Sequence, residues 1–399
     1  MNNLFKILVF VLLFIPKVDL LPLPGVSIAI KIEDFIWGIM AVLSLLQTNR
    51  LKQPASFIFF MVLLYILITV SFAPTNLLLF GRLLFYGLPI LILLRQSERD
   101  IKYLVNLIKG YAYIFSIVSV LQISIPFIYF HSGEMYFGTG DRASGIFGNA
   151  VEFALVSFML LWVLRFVGRL SPIDYACFAI IGYTTGSRLA FVAIILSGLI
   201  IFFRQYFIRS SIIISGLCVA LIMFGSLGSS TKQDSRFADI DLNELTYAAS
   251  VVVNQISGKE LPKNRIGHYC FAFDDNLSED QSFAMRLSKL KFVLEYVVLG
   301  SHPFGFGMGN CIGDAGDNLF VRILSDGGYP YFILISIFFI VVFFYKTKDI
   351  NSFEWRSFIL IFLGTSLFYD TLYFSRVAPF FFIIILIMYE KNTLKSIKY

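Results

Sequence analysis

The protein has 399 residues, of which 58% are hydrophobic, 17% aromatic and 15% charged, and its mean hydropathy is +0.80. This composition excludes a soluble globular protein. The formal net charge of +6 comes from short basic clusters between apolar runs, a pattern of membrane topology and not of nucleic-acid binding. We therefore expect an all-α polytopic membrane protein with no nucleic-acid partner.

The first apolar run extends from Leu4 to Ile15 behind Lys6, as in a signal peptide. No cleavage site of small residues follows it, and Pro16 to Asp19 lead into a further apolar run. We interpret Leu4 to Ile15 as a short, uncleaved first span.

Polar breaks divide the rest of the chain into further apolar runs. They cover residues 28–47, 56–73, 77–94, 108–130, 149–168, 172–185, 188–203, 210–227, 329–345, 356–373 and 376–390. With the first run, this predicts about twelve membrane-spanning helices. The runs at 172–185 and 188–203 are near the short limit for a span, and a single re-entrant pair is the alternative there.

A polar interval of roughly 100 residues, Gly228–Gly328, separates the ninth and tenth runs. It predicts three parts: nine spans over residues 1–227, a large extracytoplasmic loop over 228–328, and spans ten to twelve with a cytoplasmic tail over 329–399.

Basic residues recur in every second connection when the N-terminus is placed in the cytoplasm, as the positive-inside rule demands. These connections carry Arg50/Lys52, Arg95/Arg99/Lys102, Arg165/Arg169, Arg204/Arg209, Lys346/Lys348/Arg356 and the C-terminal lysines. Both termini are therefore predicted to be cytoplasmic. The large loop and the second-longest connection, His131–Gly148, are predicted on the opposite side.

Arginines that face outward or lie within a span run against this rule and call for a partner. They are Arg82 in the fourth span and Arg142, Arg188, Arg286 and Arg322 near the outward connections. A guanidinium binds phosphate oxygens through a bidentate fork, so a diphosphate-bearing lipid is the natural ligand. The alternative is that these arginines pair with acids, such as Asp141, or with lipid headgroups.

The densest polar and glycine-rich stretch runs from His302 through Gly305-Phe-Gly-Met-Gly309 to Asp317-Asn318. Glycines allow a backbone to approach a ligand closely, but without a strand and a helix around them they do not make a dinucleotide site. Asp317, just before an apolar run, is a candidate general base, although an acid at that position is more often a helix cap.

Metal binding is not expected. The acid pairs Asp239/Asp241 and Asp274/Asp275 have the character of solvated loop acids, and no His/Cys cluster has the spacing of a zinc site. We predict neither a metal nor a cofactor.

Four short motifs carry a family resemblance: Asp141-Arg-Ala-Ser-Gly, Thr185-Gly-Ser-Arg, His302-Pro-Phe-Gly-Phe-Gly and Asp317-Asn-Leu-Phe. Together with about twelve spans and a large late outward loop, the chain resembles the O-antigen polymerase family, which is related to the O-antigen ligases. The resemblance covers nearly the whole chain in layout.

The resemblance implies a bacterial inner-membrane glycosyltransferase, similar to the C-type glycosyltransferases and metal-independent. It would move a growing glycan from undecaprenyl diphosphate onto the non-reducing end of a lipid-linked repeat unit, alongside a chain-length regulator. Arg142, Arg188 and Arg286 would stabilise the departing diphosphate and Asp317 would be the base, with His302 and His268 as alternatives. The substrate-binding residues would be Arg82, Asn318, His302 and Arg322.

Two departures from the family pattern bear on this assignment. The ligases carry a histidine before the Asn that corresponds to Asn318, where this chain has Asp317, which favours a polymerase or a different base. Some polymerases have a glycine eleven residues after an outward arginine, and Phe153 and Val297 occupy those positions here. A ligase that transfers glycan to lipid A-core and a flippase of lipid-linked units are the competing functions.

Cys270 and Cys311 are the two cysteines of the large loop. An oxidising compartment makes a disulfide between them plausible, and closing a loop of about 40 residues would stabilise it by roughly 3–4 kcal/mol. Two unbonded thiols are the alternative.

Overall fold

The computed structural model describes residues 2–17, 19–22, 29–31, 35, 38–39, 64, 98–131, 134–138, 142–147, 149–202, 293, 297, 299–300, 302–307, 318–345, 352–367, 369, 371–372 and 376–385. Most of these residues are helical, as the composition predicts. Two antiparallel hairpins interrupt the helices, so the prediction of an all-α chain is correct only in its main part.

Among the described residues, the helices with defined bounds are α1 (Asn2–Phe14), α2 (Glu98–Ser124), α3 (Ala150–Val167), α4 (Pro172–Thr184), α5 (Arg188–Phe202), α6 (Leu319–Phe344) and α7 (Ser352–Ser366). Residues 377–385 are also helical. Strand β1 (Asp19–Pro22) pairs with β2 (Ala29–Lys31), and β3 (Phe127–His131) pairs with β4 (Glu134–Gly138).

Within the described residues, three helical segments are long and apolar enough to cross a membrane: Ile101–Ser124, Ala150–Val167 and Leu319–Phe344. The predicted runs at 77–94 and 210–227, all of 56–73 except residue 64, and most of 28–47 lie outside the described residues. Helices α4 and α5 have 13 and 15 residues, or about 20 and 22 Å. Both are shorter than a hydrocarbon core of about 30 Å, as the sequence predicted for these two runs.

The hairpin β3–β4 corrects the predicted span over residues 108–130. Pro126 has no amide hydrogen and disfavours helical geometry at Ile125, so α2 ends at Ser124. The aromatic and β-branched residues that follow favour strands, and they form a ladder in which Ile128 pairs with Phe137. The run is predominantly apolar on both sides of Pro126, which is why hydropathy alone predicted one helix.

Helix α3 lies at the centre of the described core. Trp162 and Phe166 are buried on it and pack against Phe358 of α7 with ring centroids 5.4 and 5.8 Å away. The indole of Trp162 donates a 2.9 Å hydrogen bond to Ser197 Oγ of α5, which satisfies the polar atom that burial removes from water.

Ion pairs mark one end of the helix bundle, here called the Arg165 end. At the last turn of α3, Arg165 binds Glu354 of α7 through two nitrogens at 2.8 and 2.6 Å. Lys109 of α2 lies 3.0 Å from Asp174 in the first turn of α4. The sequence predicted that the connections after α3 and before α7 lie on the same side. The Arg165–Glu354 ion pair brings the end of α3 and the start of α7 together.

The opposite end, here called the Arg142 end, holds the C-terminal ends of α2, α4 and α7 and the N-terminal ends of α3, α5 and α6. Hydrogen bonds join these helix ends, including Asn318 Nδ2 to the carbonyl of Leu367 at 2.7 Å. Residues 142–147 and 185–187, which belong to connections predicted to face outward, lie here. The two ends therefore hold different sets of the described connections.

Candidate functional site at the Arg142 end

The segment that carries Arg142 docks on the turn between α4 and α5. The amide of Ala143 donates to the carbonyl of Thr184 at 3.0 Å, and Arg142 Nε donates to the carbonyl of Thr185 at 2.7 Å. The half-buried Arg142 side chain also lies against Gly186, where an added Cβ would be 3.4 Å from its Cγ and Nε. Gly186 has φ +59°, so this turn favours glycine both for its backbone and for the arginine across it.

The same turn begins the helix that carries Arg188. Thr185 Oγ1 donates to the carbonyl of Gly182 at 2.8 Å and stabilises the end of α4, and Ser187 then leads into Arg188 at the first position of α5. The structure thus brings two of the predicted arginines, from separate segments, to one turn.

Asn318 reaches this end from the start of α6. Its Oδ1 accepts from the amides of Phe320 and Val321 at 2.9 and 3.1 Å, which makes it the N-cap. Its Nδ2 holds Leu367 at the end of α7. Two residues later Tyr369 hydroxyl lies 3.2 Å from Ser187 Oγ in the α4–α5 turn. Asn318 is therefore linked to the turn that Arg142 crosses through Leu367 and Tyr369, which follow the end of α7.

The glycine-rich stretch that follows His302 packs on a break in α6 at Gly328, whose φ and ψ are 64° and −157°. Pro330 has no amide hydrogen, so the carbonyl of Asp326 has no helical donor four residues on. The amide of Gly307 donates to that carbonyl at 3.1 Å. The loop thus supplies a hydrogen bond that the proline removes.

Two more backbone hydrogen bonds complete the contact between the loop and the break. Phe306 amide donates to the Ser325 carbonyl at 2.7 Å, and Tyr329 amide donates to the Pro303 carbonyl at 2.9 Å. An added Cβ at Gly305 would lie 2.7 Å from the Gly328 nitrogen. In this structure the glycines of Gly305-Phe-Gly307 allow backbone to approach backbone, a use that the sequence does not distinguish from ligand approach.

His302 lies at the start of this loop and packs against Phe306, with ring centroids 4.8 Å apart and the ring planes tilted by 37°. Burial lowers the pKa of the His302 imidazole below its ordinary value. A neutral imidazole is the form that accepts a proton, which suits the secondary role of base that the sequence suggested for His302.

Arg322 is placed differently from Arg142 and Arg188. It is buried on the first half of α6, one turn beyond Asn318, and its Nε lies 3.6 Å from Asp326 Oδ2. The sequence singled out Arg322 as a substrate-binding residue but did not include Asp326. The acid neutralises charge within the bundle, which favours a structural role for Arg322.

Sequence reasoning also missed a buried cluster around Glu152 in the first turn of α3. Lys17 Nζ lies 2.5 Å from Glu152 Oε2, and Arg376 amide donates to Oε1 at 3.2 Å. The Arg376 guanidinium donates to the carbonyls of Leu12 and Ile15 at 3.2 and 2.7 Å. The signal was in the sequence, since Glu152 is an acid inside a predicted span.

Other predicted site residues lie outside the described residues: Arg82, Arg286, Asp317, His268, Cys270 and Cys311. Among the residues that are described, no group of three or more His, Cys, Asp or Glu side chains is arranged to hold a metal ion.

The Arg142 end can therefore present cationic side chains and a helix N-terminus beside apolar helices, which suits an anionic group on a lipid. The sequence matches no model of a known protein family and no characterised protein.

Proposed function

We propose that the protein is a polysaccharide polymerase that transfers a growing glycan from undecaprenyl diphosphate onto a lipid-linked repeat unit. The observation that carries the proposal is the convergence of Arg142 and Arg188 on the turn formed by Thr185 to Ser187. Two outward cations brought together at one end of an apolar bundle are suited to a diphosphate at a membrane surface.

In the proposed reaction, a hydroxyl oxygen of the acceptor sugar attacks the anomeric carbon of the donor glycan. The bond from that carbon to the diphosphate oxygen breaks, and the lipid diphosphate leaves with the electron pair. Negative charge on the bridging oxygen grows in the transition state, so arginines there stabilise the transition state more than the ground state. Asp317 takes the hydroxyl proton, and His302 is the alternative base.

Arg286 completes the donor set, and Arg82 and Asn318 bind the substrate, whereas Arg322 is assigned the structural role that its pairing with Asp326 favours. The enzyme works without a metal, in the bacterial inner membrane with both termini in the cytoplasm, and a chain-length regulator is its expected partner. Support for this orientation comes from the basic clusters and from the separation of the Arg165 and Arg142 ends.

Deletion of the gene, with banding of the surface polysaccharide, tests the proposal. We expect a single repeat unit on lipid A-core, restored to a ladder by the full-length protein. A ligase would leave no glycan on core while lipid-linked polymer accumulates. A flippase would trap undecaprenyl-linked units in the cytoplasmic leaflet. Either of those outcomes would reject the polymerase.

A further inference from the structure

Hairpin β3–β4 presents an apolar surface beside the Arg142 end. Phe137 is 77% exposed and Ile128 is 44% exposed. The two residues are direct cross-strand partners, so they lie on one face of the ribbon.

This surface continues an exposed apolar stripe on α2. Ile114, Ile117 and Val120 follow one another at helical spacing and are 51%, 62% and 41% exposed. Ile125, at the end of the helix, is 47% exposed and leads directly into β3. Since α2 contains one of the three segments able to cross a membrane, an exposed stripe of this kind on it is suited to lipid.

The length of α2 indicates which residues lie at the far boundary of the hydrocarbon core. Lys109 and Asp174 mark the polar level at the Arg165 end. From Lys109 to Ser124, α2 rises only about 22 Å, whereas the hydrocarbon core is about 30 Å thick. The remaining thickness of about 8 Å falls at the level of Ile125 and the start of β3.

We propose that the β3–β4 hairpin is seated in the outer leaflet of the membrane, with its Ile128–Phe137 face in contact with acyl chains and headgroups. The backbone groups between the two strands pair within the ladder. The groups on the two outer edges of the ribbon are hydrogen-bonded by water and headgroups when the hairpin lies at the headgroup level and not deep in the hydrocarbon. Aromatic residues are favoured at this depth.

The hairpin is coupled to the segment that carries Arg142 through one buried side chain. Gln122 Nε2 donates to the carbonyls of Ile128 and Gly145, each at 3.0 Å. Gln122 Oε1 accepts from the Gly145 amide at 2.9 Å. The seated hairpin therefore fixes the height of the Arg142 segment relative to the outer leaflet.

Tryptophan fluorescence of the full-length protein in phospholipid vesicles tests the proposal. Phe137→Trp adds a fluorophore on the exposed face, and wild-type protein gives the contribution of the 3 native tryptophans. With lipids brominated near the ester end of the acyl chains, we expect the added emission to fall by about half and to be blue-shifted.

Phe127→Trp is the matched control, since Phe127 is half-buried and pairs with Gly138 on the other face of the ribbon. We expect weaker quenching there. Unquenched, water-like emission from Phe137→Trp would overturn the proposal and would indicate that this face lies in water. Equal quenching at both positions would overturn the face assignment. Neither readout depends on polymer formation, so this test of the hairpin is independent of the proposed function.

Discussion

The Nε atom of Arg142 donates a 2.7 Å hydrogen bond to the carbonyl oxygen of Thr185, across 43 residues of chain. Thr185 belongs to the turn that starts the Arg188 helix, so the position of one cation depends on the element that presents the other. The Arg142 side chain is consequently held by a backbone contact at the Arg142 end, which is the preorganisation that anion stabilisation requires.

The two ends of the bundle should be accessible from opposite sides of the membrane. Phe304, 65% exposed in the loop that packs on α6, and Ser352, exposed at the start of α7, lie in connections that the basic clusters assign to opposite sides. In intact spheroplasts, we expect a membrane-impermeant maleimide to label Phe304→Cys, and to label Ser352→Cys only after permeabilisation. Labelling of both from one side would reject the topology.

Gly328→Ala should destabilise the protein through the backbone. Gly328 has φ +64°, and an added Cβ would collide with the carbonyl of Pro303, so a cost of about 1–3 kcal/mol is expected. The apparent melting temperature in detergent, followed by size-exclusion chromatography, measures it. Gly364→Ala is the control, because nothing lies within 4 Å of its added Cβ. Equal melting temperatures for the two variants would show that the break in α6 is not constrained as described.

Glu152→Gln should be among the more damaging single changes in the described core. It leaves Lys17 beside a neutral group in a site where the Glu152 side chain is 0% exposed, and breaking a buried ion pair costs about 3–5 kcal/mol. Glu354→Gln should cost less, because its partner Arg165 is 35% exposed. Adding Lys17→Met to Glu152→Gln should restore part of the melting temperature. An equal loss for Glu152→Gln and Glu354→Gln would contradict this account of burial.

His302 should make stability depend on pH. Because burial lowers its pKa in the folded protein, the folded state binds the proton more weakly than the unfolded state. Stability is then highest with neutral His302 and falls as pH drops below about 6.5 toward the lowered pKa. His302→Gln should flatten this part of the profile of melting temperature against pH. Identical profiles for wild type and variant would exclude the contribution.

Much of the described fold could be predicted from hydropathy. The run at 149–168 corresponds to α3, and the runs at 172–185 and 188–203 correspond to α4 and α5. The break at Pro126 could have been read from the sequence, because proline ends helices. Hydropathy could not predict that α6 starts at Leu319, ten residues before the predicted run. The first half of α6 contains the charged residues Arg322 and Asp326, which pair with each other inside the bundle.

The candidate site was predictable in part. The positive-inside rule singled out Arg142 and Arg188. That Arg142 contacts the turn before Arg188 depends on a hydrogen bond to a backbone carbonyl, which side-chain patterns do not encode. The role of the Gly305–Gly307 glycines was also hidden, because the carbonyls that they approach belong to residues about twenty positions away. Long-range backbone contacts of this kind require the fold.

Substitution of the arginines tests the central claim most directly. Arg142→Ala, Arg188→Ala and Arg286→Ala should each lower polymer formation about a hundredfold or more at wild-type membrane levels. The corresponding Lys variants should restore little, because lysine keeps the charge without the fork. Arg169→Ala is the control, since Arg169 is exposed at the Arg165 end.

The measurement is the banding of surface polysaccharide, compared with the amount of each variant in the membrane, in cells that lack the wild-type protein. The account predicts a single repeat unit for the Ala variants of Arg142 and Arg188, and a full ladder for Arg169→Ala. A full ladder from Arg142→Ala, Arg188→Ala and Arg286→Ala alike would contradict it.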